Sequence, residues 1–208
     1  TSGRPEFGRF DMLTGETLTR MAGAEHQAAK GEIVCAPEIA PLVGDAATWG
    51  PAREGFLPLL SLLRPVAADT VEELPDLPLE TLRPYFPPAL FDWLVSTGES
   101  FLGELRPVVS AFVRFEGLDY TGDPQAGEKL DRYVGAVQDC AAHYGGSLIR
   151  LEFGDKGSVA HVVFGAPVAH EDDEARAVAW VLELQNRERE LTFISAQYDG
   201  ITRRPVYP

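Results

Sequence analysis

Between residues 107 and 208 the apolar pattern switches from strand to helical spacing and back, and this order restricts the fold more than any other feature. Val108-Val109-Ser110-Ala111-Phe112-Val113-Arg114-Phe115 is apolar nearly throughout, as suits a central strand covered on at least one face. A helix is expected from about Ala126 to Tyr144. There Leu130, Tyr133, Val134, Val137 and Ala141 recur at helical spacing, and Gly145-Gly146 stops the run. Leu148 to Phe153 and Val159 to Phe164 read as two strands, joined through Gly154-Asp155-Lys156-Gly157-Ser158 in a hairpin. A second helix is expected from about Glu171 to Arg189, followed by a strand from Leu191 to Ala196. The order β-α-β-β-α-β predicts an α+β, ferredoxin-like sheet with two helices on one face.

The preceding residues are less regular. Leu18, Met21 and Ala22 share one face of a helix that Gly31 would end as a left-handed cap, and Glu32-Ile33-Val34-Cys35 reads as a short strand. Pro37 suits the first turn of another short helix. Further on, prolines 51, 58, 65, 75, 78, 84, 87, 88 and 107 are dense enough to argue against long helices and interior strands. Yet Phe56-Leu57, Tyr85-Phe86 and Phe91-Asp92-Trp93-Leu94 carry more apolar surface than a solvated linker would. A Pro-rich connector packed against a domain is therefore expected, with one or two short helices between Phe91 and Leu105.

The 208 residues include 18 Lys and Arg against 32 Asp and Glu, a net charge of −14. That balance argues against nucleic acid and against an anionic membrane surface as partners. No apolar run approaches the ~20 residues that cross a bilayer. Thr1-Ser2-Gly3-Arg4-Pro5-Glu6 has neither the pattern of a secretory signal nor an initiator Met. Cys35 and Cys140 stand far apart with no CxxC partner, so they read as small buried hydrophobes, and the expected location is cytoplasmic. His26, His143 and His161 form no zinc spacing, and the acidic run after His170 suits a helix's first turn. Neither GxxxxGK[ST] nor GxSxG occurs.

The junction Gly154-Asp155-Lys156-Gly157 has two readings. Asp and Gly are what a tight turn requires. An Asp at a hairpin tip facing the end of the first strand could also hold Mg²⁺ beneath a triphosphate. Here a resemblance enters. Phe112 to Leu118 resembles the first-strand motif of class III adenylate/guanylate cyclases. Gly154-Asp155-Lys156-Gly157 with Phe164-Gly165-Ala166-Pro167 resembles their second strand pair, and His170 to Val178 the helix that follows. Residues 11–45 resemble the C-terminal half of such a domain. The resemblance divides the chain into the tail of a first cyclase-like domain (1–48), the connector (49–106) and the front of a second domain (107–208), with both chain ends internal to a longer tandem signalling protein.

What the resemblance implies is specific. Nucleotide would lie against Phe115, Glu116, Gly117 and Leu118, and Asp155 would ligate metal. Arg20 lies near the transition-state positions of the family's helix, although the family's own Asn and Arg fall on Thr19 and Ala22. Mg²⁺ or Mn²⁺ is the expected cofactor if nucleotide is bound. ATP and a second cyclase-like domain, in the same chain or in a homodimer, are the expected partners. The departures are equally specific: family members bind two metal ions with two aspartates, but the first place holds Arg114, and Lys156 lengthens the hairpin. The first expectation is thus a degenerate cyclase homology module acting as a pseudocatalytic or regulatory partner. The alternatives are an active adenylate cyclase with ligands completed across an interface, and a pure protein-interaction domain.

Overall fold

Alternate residues of one long strand, β4 (Arg106–Glu116), separate the two faces of the main sheet. Val109, Ala111, Val113 and Phe115 are almost fully buried, whereas Phe112, Arg114 and Glu116 point to the opposite face. The computed structural model describes residues 1–64, 75–97, 106–154 and 157–206. It divides into two units, Thr1–Leu13 with Leu77–Pro208, and Thr14–Asp76.

In the first unit β4 is followed by α5 (Ala126–His143), β5 (Gly146–Gly154), β6 (Gly157–Phe164), α6 (Asp173–Glu188) and β7 (Ser195–Val206). The four strands pair antiparallel in the order β5-β6-β4-β7. This is the ferredoxin-like arrangement expected from the sequence, with the hairpin strand β6 inserted between β4 and β5. Leu130, Tyr133, Val134 and Val137 of α5 and Ala177, Trp180 and Leu184 of α6 share one core with the inward residues of β4 and β6. Both helices therefore cover the same face. Before this core come α3 (Leu79–Leu82) and α4 (Pro88–Thr97).

One boundary differs from expectation. Leu191, Phe193 and Ile194 are not in the last strand. After α6 the Leu191 N–H donates to the Glu188 carbonyl and the Ile194 N–H to that of Leu191, so this apolar stretch turns over the end of the core. Strand β7 begins only at Ser195 and pairs with β4 along its whole length.

The second unit holds α1 (Glu16–His26), β1 (Ile33–Cys35), α2 (Ile39–Val43), β2 (Ala47–Trp49) and β3 (Leu57–Leu62), in a sheet of order β1-β3-β2. Helix α1 ends at His26, before Gly31, whose φ of 84° falls in the following turn. Strand β3 is an interior strand, contrary to the reading of the proline-rich stretch. Pro58 tolerates this place because its carbonyl accepts the N–H of Gly50, just beyond the end of β2. A residue's N–H and C=O share one side of a strand, so the donor that proline lacks faces a position outside the β2 ladder. Among the described residues no helix is long and apolar enough to cross a membrane.

Candidate functional site

The candidate site lies where β4 ends beside the β5–β6 hairpin. Phe115 pairs with Ser158, Arg114 with Val159, and Gly154 with Gly157 across the hairpin. A Cβ on Gly157 would lie 3.5 Å from Oε1 of Glu116 and 3.8 Å from Cδ of Arg114. Strand alternation thus brings Arg114, Glu116 and the hairpin together on the face opposite the helices. Asp155 and Lys156, the expected metal ligand and the extra hairpin residue, lie outside the described residues.

The four residues expected at the nucleotide divide by environment. Phe115 is 1% exposed and faces the helices, its ring 4.6 Å from that of Tyr133. Leu118 also packs against this core. Glu116 is exposed at the strand end. Gly117 has φ 106°, and a Cβ there would stand 2.5 Å from the Phe193 carbonyl oxygen, so only glycine permits this close passage. Any ligand contact of this stretch therefore falls to Glu116 and to the backbone after it.

The loop that follows uses its carboxylates on itself. Asp119 Oδ1 accepts the N–H groups of Thr121 and Gly122 at 3.0 and 2.8 Å. Asp123 accepts the Gln125 N–H at 2.9 Å and pairs with Lys129 at 2.5 Å. The Lys129 ammonium beside Asp123, helped by that backbone donor, holds its carboxyl below the usual range. Asp123 is thereby committed to Lys129, whereas both hydrogen bonds to Asp119 fall on Oδ1. Among the described residues no group of three His, Cys, Asp or Glu side chains could hold a metal ion.

Arg20 does not join this cluster. It belongs to the unit Thr14–Asp76, where its guanidinium makes a two-pronged pair with Glu38 at 2.6 and 2.7 Å. What the sequence reading missed is a cross-strand pair two residues along β4. Phe112 stacks on His161 with ring centroids 4.2 Å apart and planes 16° from parallel. Burial pushes the His161 imidazole below its usual value, and nearby Arg150 acts in the same direction. Each residue alone looked unremarkable, because only the β4–β6 register makes them neighbours.

No family model and no curated protein matches the chain. Among solved structures, a similar chain is that of the crystal structure of the guanylyl cyclase Cya2. It is 24% identical with a TM-score of 0.39, covering 52% of this chain and 65% of that one. This chain thus spans less than two thirds of its neighbour. That is a distant likeness, and the fold assignment rests on the strand order and pairing described above.

Proposed function

We propose that the chain is a degenerate class III nucleotide cyclase homology module, acting as a pseudocatalytic or regulatory partner of a second cyclase-like domain. The observation that carries the reading is Arg114. The sequence resemblance places the first metal-binding aspartate of the family at this position, on the sheet face beside the hairpin. A guanidinium stays protonated at any ordinary pH, has no lone pair to give a cation, and repels one at short range.

Among the described residues no group of side chains fits a two-metal site. Glu116 shares the face of Arg114 but lies one strand repeat beyond it, Asp119 lies in the loop after the strand with its Oδ1 holding two backbone N–H groups, and Asp123 is paired with Lys129. No metal-assisted step is therefore derived for this chain. A module of this kind would act by offering its sheet face and loop to a partner domain.

The experiment is an assay for cyclic nucleotide with ATP or GTP and Mn²⁺, using the chain alone. No product is expected. Turnover that Asp155→Asn abolishes would contradict the proposal and favour the active-cyclase reading. If the regulatory role is correct, adding the chain to a competent cyclase-like domain changes that domain's rate, and Arg114→Glu alters the effect.

A further inference from the structure

The run Ile149-Arg150-Leu151-Glu152-Phe153 reads alike in both directions: apolar at its ends and centre, with opposite charges on either side of Leu151. It lies in β5, an outer strand of the sheet order β5-β6-β4-β7. Among the described residues no strand pairs with the side of β5 away from β6. A strand so placed presents a row of backbone N–H and C=O groups without ladder partners.

Only part of this edge is open. At the start of β5, Gly146, Ser147 and Leu148 line a cavity of about 50 Å³ with Phe7, Pro87 and Pro88, so earlier parts of the chain lie against that end. The strand emerges after the register shift between Leu148 and Arg150. Ile149 is 45% exposed, and Arg150, Glu152 and Gly154 are exposed as well. Leu151 and Phe153 are half-buried against the core.

Charged side chains on an edge ordinarily keep other strands away. An identical edge is the exception here. Arg150 and Glu152 pair with each other at 2.8 Å, so together they carry no net charge to repel a copy of themselves. In an antiparallel pair centred on Leu151, that residue lies opposite the partner's Leu151. Arg150 then lies opposite the partner's Glu152 and Ile149 opposite the partner's Phe153, and the twofold axis repeats both pairs. Moving the centre to Arg150 or Glu152 would set like charges directly opposite, which fixes the register. Residues opposite each other share a sheet face. Both copies therefore keep their helices on one side, and the face of Arg114 and Glu116 stays uncovered.

We propose that the open edge of β5 is a self-recognition surface, through which a second copy of this chain extends the sheet antiparallel about Leu151. Residues 149–153 of each copy make the contact. That is smaller than a standard interface, so the dimer is weak and concentration-dependent. This inference does not depend on the nucleotide reading.

The experiment is sedimentation velocity on the full chain, in a concentration series reaching about 1 mM. The wild type is expected to pass from monomer to dimer, while backbone amides within residues 149–153 gain protection from hydrogen exchange. Arg150→Glu makes the edge acidic and Glu152→Arg makes it basic, so each variant alone should associate about tenfold or more weakly. Mixed in equal amounts, the two variants set an acidic edge against a basic one, and dimer should return at the wild-type concentration. Both positions are exposed, and unchanged circular dichroism shows that each variant is folded. A wild type that stays monomeric throughout, leaving the edge to a foreign strand if to any, would overturn the inference. So would a dimer indifferent to both substitutions, or one lost in each variant and not recovered on mixing.

Discussion

Glu188 sits between two tyrosine hydroxyls, with Tyr133 donating to Oε1 at 3.0 Å and Tyr198 to Oε2 at 2.6 Å. Burial raises its carboxyl above the ordinary 4.5, against the pull of both hydroxyls. The folded chain therefore binds this proton more tightly than the unfolded chain. That advantage is fully present below 4.5 and fades as pH rises through the raised value. Glu188→Gln keeps a neutral side chain at every pH. Its stability relative to the wild type should rise from pH 4.5 toward neutrality in urea melts, and a flat difference would contradict the assignment. Cys140 gives a second residue-scale expectation. It is fully buried, and burial pushes its thiol up to about 12. A thiol reagent near neutral pH should reach it only through global unfolding, while half-buried Cys35 reacts faster.

At the scale of elements, α6 is held chiefly by Trp180, which is fully buried with its ring 5.8 Å from that of Phe164. Its indole N–H makes no hydrogen bond. Trp180→Ala should then cost about 3–5 kcal/mol, and Trp180→Phe far less, because only volume is lost. A phenylalanine variant as unstable as the alanine one in denaturant melts would show that the N–H has a partner after all. How legible these elements were follows from how local their causes are. The helices α5 and α6 and the hairpin were readable because apolar spacing and glycine stops lie within each segment. The start of β7 was not, since Leu191, Phe193 and Ile194 are apolar for the sake of the core end, whichever backbone shape carries them. Strand β3 was hidden by Pro58, whose tolerance depends on the length of a neighbouring strand. The docking of residues 1–10 on α5 was invisible for the same reason. It joins positions more than 120 residues apart, as in the Gly3–Asp131 bond with a separation of 128. At the candidate site the sequence placed Arg114 and the hairpin correctly on neighbouring strands. It could not show that Phe115 faces the helices while Glu116 faces away.

The whole molecule consists of two units of unequal cores. The unit with the four-stranded sheet encloses Tyr133, Phe115, Phe164, Trp180 and their neighbours, whereas in Thr14–Asp76 the buried apolar residues among those described are only Ala24, Ala47 and Pro58. Little apolar burial means little protection against local opening. Limited proteolysis should cut first within Thr14–Asp76 and leave a resistant product spanning the main sheet; first cuts within α5 or α6 would contradict this ordering. The proposed exclusion of a cation by the Arg114 guanidinium, at the strand end beside the hairpin, is measured by calorimetric titration of the chain with Mn²⁺ and ATP together. The wild type should show no saturable uptake, and Arg114→Asp combined with deletion of Lys156 should gain it. Stoichiometric binding by the wild type, abolished by Asp155→Asn, would contradict it.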